Sequence, residues 1–95
     1  MALSLVSDLM EQIDDMKHCI GYEPKKVKRG KYVAYRNYYT TGDDHAGWDD
    51  IVKAGLAEKY SFPHGIGDNP RCYSLNEQGI KFLSNLLGCK IVEMD

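Results

Sequence analysis

Leu3, Val6, Leu9, Met10, Ile13, Met16 and Ile20 recur at steps of three and four, while Asp8, Glu11, Asp14 and Asp15 fall on the opposite side. That spacing predicts an amphipathic helix, ended by Gly21 and barred from continuing by Pro24. Its apolar stripe is expected to pack on the domain's own core, which so small a domain needs. Residues 22–30 read as an exposed loop and residues 31–33 as a short strand. Tyr32, Tyr35, Tyr38 and Tyr39 then follow at steps of three, three and one, which suits a short helix over residues 34–39. Tyrosine and valine also favour strands, so a strand stays open there.

Past a polar, acidic stretch at residues 40–47, Trp48, Ile51 and Val52 mark the buried face of a helix that begins near Ala46. Asp43 or Asp44 is placed to cap it and Gly55 to stop it. Residues 56–61 and 71–75 alternate as two strands, joined by a tip at 62–70 that holds Pro63, Gly65, Gly67, Asp68, Asn69 and Pro70. Asn76 occupies an N-cap position. Ile80, Phe82, Leu83, Leu86 and Leu87 give the closing helix its apolar face, Gly88 ends it, and residues 90–93 are expected to add a short strand. The expected core is Leu9, Ile13, Ile20, Trp48, Ile51, Val52, Leu56, Tyr73, Leu75, Ile80, Leu83 and Leu86.

Ninety-five residues suit one domain, residues 1–95, with no room for a separate substrate lobe. A net charge of −2 gives no overall attraction to nucleic acid or anionic lipid, so any electrostatic reading must be local. No apolar run approaches the roughly 18 residues of a membrane span, and Asp8 and Glu11 interrupt any signal-peptide core. A cytoplasmic protein with no membrane partner is expected, as monomer or homodimer. Cys19, Cys72 and Cys89 are odd in number and far apart, which fits reduced thiols in part-buried positions.

The block at residues 48–88 resembles the winged-helix superfamily, in which a helix ending in a glycine-leucine step precedes a β-ribbon, the wing, and a capped helix follows. The residues that carry this likeness are Ile51, Val52, Gly55 and Leu56, then Tyr73, Leu75, Asn76 and Gly79. A wider likeness joins His18-Cys19-Ile20-Gly21, the basic loop, Tyr35-Arg36-Asn37-Tyr38-Tyr39, Trp48, Gly55 and residues 73–88. Together these resemble small uncharacterised proteins of bacteriophages and prophages. Val33-Ala34 stands where those relatives commonly carry a proline. The resemblance implies a small α+β winged-helix-like domain, mostly helical with a β-ribbon wing, and an accessory role of phage type.

Lys25, Lys26, Lys28, Arg29, Lys31 and Arg36 supply half of the chain's 12 basic residues, and no acid falls among them. Such a cluster is the best candidate for a nucleic-acid-binding surface, with Tyr32 and Tyr35 beside it to stack on bases. The helix that begins near Ala46 carries Asp49 and Asp50 against a single cation, Lys53, which argues against reading base edges in the major groove. Asp43, Asp44, Asp49 and Asp50, near an aromatic Trp48, suit instead a basic protein surface. Arg36 and Asn37 read as internal hydrogen-bond donors, with Arg36 pinned by nearby acids.

Catalytic and metal-binding motifs are not evident. His18, His45 and His64 are scattered, a Cys19–His18–Cys72 cluster would have to be assembled by the fold, and Gly65-Ile66-Gly67 lacks the strand and helix of a dinucleotide loop. The expectation is a non-enzymatic protein without cofactor that binds nucleic acid with little sequence preference. The alternative is a modulator or inhibitor of a host protein complex, such as a host defence system, acting through the acidic and aromatic surfaces.

Overall fold

Eighteen residues form the first helix, α1 (Ala2–Cys19), in this computed structural model, which describes residues 2–62 and 65–93, and among its described side chains those nearest the C-terminus enter the core. Met16, Cys19 and Ile20 are buried and Ile13 packs against them, whereas Leu9 is 49% exposed and Met10 61%. Leu9 is thus no core residue: its side chain is half-exposed on the face beside Ile13. The side chains of Leu3 and Val6 lie outside the described residues, as do Pro63 and His64 of the expected wing tip. Gly21 (φ 64°) ends α1. Its N–H donates to His18 O and that of Tyr22 to Lys17 O, the pair of bonds that closes a helix on a left-handed residue.

A single 3₁₀ turn at Pro24–Lys26 leads to β1 (Lys31–Ala34). Tyr32 and Ala34 point inward while Lys31 and Val33 point out, the period of a half-buried strand. The helix expected over residues 34–39 does not form. Residues 35–38 are irregular and lead into β2 (Tyr39–Thr41), because they satisfy backbone groups elsewhere. Arg36 Nη2 donates to His18 O, a second bond on the carbonyl that accepts from Gly21 N, and Tyr38 N donates to Cys19 O, closing a carbonyl left open at the end of α1. Arg36 is therefore held by a helix end, and among the described residues no acid pairs with it. Between them Asn37 binds the backbone of Leu75 on both sides, accepting from its N–H at 2.9 Å and donating to its carbonyl at 2.8 Å.

Next comes α2 (Ala46–Lys53), capped by His45, whose Nδ1 accepts from Trp48 N at 3.1 Å. Neither Asp43 nor Asp44 caps it. Asp43 accepts from Asp44 N, and Asp44 is engaged by two cations described below. β3 (Ala57–Ser61), β4 (Arg71–Leu75), α3 (Glu77–Leu87) and β5 (Lys90–Glu93) complete the chain. Asn76 caps α3 by accepting from Gly79 N, and Gly88 (φ 71°) ends it.

β2, β4 and β3 form an antiparallel sheet in that order, and β1 pairs in parallel with β5, Lys31 against Lys90 and Val33 against Val92. The protein is an α+β domain of three α-helices and five strands in two sheets, with helix and strand mixed rather than mainly helical. Trp48 sits fully buried at its centre, stacked on Tyr73 at 5.4 Å and tilted against Tyr39. Leu86, expected in the core, is 50% exposed, since α3 turns Ile80, Leu83 and Leu87 inward and leaves Phe82 and Leu86 beside that stripe. The parallel pair adds Tyr32, Ala34 and Ile91 to the core instead.

Candidate nucleic-acid interface

Lys28 and Lys31 close a two-residue turn, each backbone N–H donating to the other's carbonyl. Between them Arg29 (φ 54°) and Gly30 (φ 72°) are both left-handed, as the turn type that suits a hairpin's twist requires. Glycine adopts that conformation freely, but an arginine there costs on the order of 1 kcal/mol. The turn therefore carries a cation at its tip in spite of local strain.

The turn curls toward the preceding loop, and Lys25, Lys26, Lys28 and Lys31 line one open concavity of ≈ 540 Å³ with Val33 in its wall. Four ammonium groups around so small a space repel one another within a Debye length of about 8 Å. Among the described residues only Lys26 has a carboxylate in ion-pair range, Glu23 at 3.5 Å, in an exposed pair of little energetic weight. Lys90 extends the cluster: the β1–β5 register sets it beside Lys31, and both are exposed. Like charges side by side on one sheet face are destabilising unless an anion sits between them. Lys90 is not readable as part of this site from the sequence, because nothing local predicts which strand pairs with β1.

Arg36 does not line the concavity with the lysines. Its guanidinium carbon lies 5.5 Å from the Tyr35 ring centre and 5.9 Å from that of Tyr38, while Lys26 Nζ lies 5.8 Å from the Tyr35 ring. Tyr35 is 54% and Tyr38 53% exposed. Tyr32, expected to stack on bases, is instead buried, its hydroxyl donating to Gly21 O. The alternation of β1 turns it inward, and Tyr38 takes its place on the surface.

The acidic residues behave differently. Lys59 Nζ bridges Asp44 Oδ1 at 2.8 Å and Asp49 Oδ1 at 2.9 Å, Arg71 Nε reaches Asp44 at 3.1 Å, and the Tyr73 hydroxyl donates to Asp49 at 2.9 Å. Hydrogen bonds from Lys59 hold both carboxyls below the ordinary range, Arg71 adding to the effect at Asp44, and the same contacts raise the Lys59 ammonium. Asp43 and Asp50 remain exposed, and Asp50 joins Asp8, Glu11 and Asp15 along a groove between α1 and α2. Burial pushes the Asp15 carboxyl up. Trp48, being buried, is not available as an anchor for a partner.

Cys19 is buried, and that burial pushes its thiol up to about 12. Among the described residues no group of three or more His, Cys, Asp or Glu side chains is placed to hold a metal ion, and no helix is long and apolar enough to cross a membrane. Compared with protein-family models, curated proteins and solved structures, the chain has no significant match.

Proposed function

We propose that this is a non-enzymatic, phage-type accessory protein of the host cytoplasm that binds nucleic acid with little sequence preference through Lys25, Lys26, Lys28, Arg29 and Lys31, joined by Lys90. The observation that carries the reading is the lysine-lined concavity, whose cations mostly have no carboxylate partner among the described residues. Phosphate contacts by lysine and arginine supply affinity without sequence information. The phage-type origin rests on the resemblance carried by residues 35–39 and 73–88.

A winged-helix-like reading is supported by the passage from α2 through Gly55 into the β3–β4 ribbon and on to the capped α3. Only four residues separate β2 from α2, which leaves no space for a helix just ahead of α2 and hence no helix-turn-helix pair. α2 itself is eight residues long and carries Asp49 and Asp50, and the ribbon's Lys59 is tied to two acids. Both surfaces that such folds turn to DNA are thus poorly suited to it, which favours a sequence-independent contact at the β1–β5 face.

Fluorescence anisotropy with labelled DNA tests the proposal. Neutralising about three to four phosphates, the protein should bind with micromolar affinity near 50 mM salt and lose on the order of 50–100-fold by 200 mM. A Lys25/Lys26/Lys28/Arg29→Ala variant should lose most of that binding. No binding at low salt would overturn the proposal and favour the second reading, a modulator of a host protein complex. The groove of Asp8, Glu11, Asp15 and Asp50, with Leu9 and Met10 exposed near it in α1, supports that alternative, and Asp8→Asn, Glu11→Gln and Asp50→Asn together should then release the captured partner.

A further inference from the structure

Lys26, Tyr35, Arg36 and Tyr38 form a row in which cation and aromatic ring alternate, each cation 5.5 to 5.9 Å from a ring centre. The row starts at the rim of the basic concavity, since Lys26 belongs to both. Its members differ in freedom. Arg36 is tethered to the end of α1 by its bond of 2.6 Å to His18 O, and its Nε is buried with no acceptor among the described residues. Tyr35 lies close over Gly21, where a Cβ would fall 2.5 Å from its Cε1. Lys26, by contrast, has a side chain 63% exposed.

A fixed guanidinium between two half-exposed rings is a stacking platform, and stacking needs a partner with a free π face. In a duplex the base faces are hidden against one another, and only phosphates and groove edges remain accessible. A single strand offers both a run of phosphates and bare base faces. Resting on the phosphate-binding reading above, we infer that the preferred ligand is single-stranded nucleic acid. Its phosphates lie on Lys25, Lys28, Lys31 and Lys90, one base displaces the Lys26 ammonium from the Tyr35 ring, and a neighbouring base meets Tyr38. Every base has such a face, so the preference is for strandedness and not for sequence.

The test compares labelled oligo-dT, the same strand annealed to oligo-dA, and oligo-U, all at one low salt concentration. The wild type should bind oligo-dT about tenfold more tightly than the duplex. Tyr35→Leu and Tyr38→Leu, which change no charge, should each weaken oligo-dT binding by about tenfold and leave duplex binding unaltered. Tyr35→Phe, which keeps the ring, should match the wild type. Melting curves check that the variants fold, and Tyr38, whose hydrogen bond to α1 is made by its backbone N–H and survives the substitution, decides the matter if Tyr35→Leu does not. The oligo-U arm separates RNA from DNA as the source of the strand, and a tyrosine-dependent preference for either supports the inference. Equal affinity for strand and duplex, or tyrosine variants without effect while binding still needs the lysines, would overturn the inference and leave the phosphate reading intact. Absence of binding to all three probes would overturn both.

Discussion

Lys59 lies within 2.9 Å of two carboxylates, whereas Lys25, Lys28 and Lys31 share one concavity with no carboxylate in ion-pair range among the described residues. The first arrangement joins α2 to the β-ribbon and is part of the fold. The second holds like charges together against their repulsion and contributes nothing to folding that an uncharged side chain would not. Charge that is balanced internally belongs to structure, and charge left unbalanced at a cost in stability is the better guide to what the protein meets.

The two regions are joined at Asn37, which binds the Leu75 backbone in the three-stranded sheet and Glu93 in the two-stranded one. Asn37→Ala leaves a part-buried N–H and carbonyl of Leu75 without that partner, a loss of about 2 kcal/mol. The melting temperature should fall by roughly 10 °C. A variant that melts with the wild type would mean that the regions are not coupled there.

A smaller effect separates the two kinds of charge directly. Lys59→Met leaves Asp44 and Asp49 facing each other without their shared cation and should lower the melting temperature by a few degrees, roughly 3–5 °C. Replacing Lys25, Lys28 and Lys31 by Gln should leave it unchanged or raise it slightly. Equal losses in the two variants would erase the distinction.

The smallest effect lies in the acid limb of stability. The carboxyls of Asp44 and Asp49 titrate below their ordinary 3.8 in the folded protein, so the unfolded chain binds more protons in that interval. Their contribution is present above pH 3.8 and is lost as pH falls through the folded values. Asp15 runs the other way: with its carboxyl raised above 3.8, its contribution is present below that pH and lost as pH rises through the folded value. Melting temperatures followed from neutral pH to about pH 2.5 should fall at the acid end. The fall should be shallower in Lys59→Met, and the same acid slope in both proteins would show that Lys59 does not hold these carboxyls.

What the sequence disclosed divides along physical lines. The ribbon strand Arg71–Leu75, the helix Glu77–Leu87 and the final strand Lys90–Glu93 were readable because their signals are local: Asn76 caps, Gly88 stops, and the apolar spacing changes between them. The lysine cluster was readable because it is contiguous. Residues 35–38 misled, since the tyrosine spacing imitates a helix while the conformation is set by bonds to α1 and to Leu75, neither adjacent in sequence. Leu9 and Leu86 share the spacing of buried neighbours but lie half-exposed at the edge of each helix's buried stripe, and spacing alone cannot report how wide that stripe is. Lys90 and Tyr38 entered the candidate site only through tertiary pairing.

The parallel register that puts Lys90 beside Lys31 also sets an order of events in time. Everything from α1 to β4 is synthesised before the strand that completes the basic face, and a parallel pair between segments so far apart is slow to close. The lysines of residues 25–31 are therefore gathered first, by a local turn, and the paired surface that adds Lys90 appears only once β5 has been made.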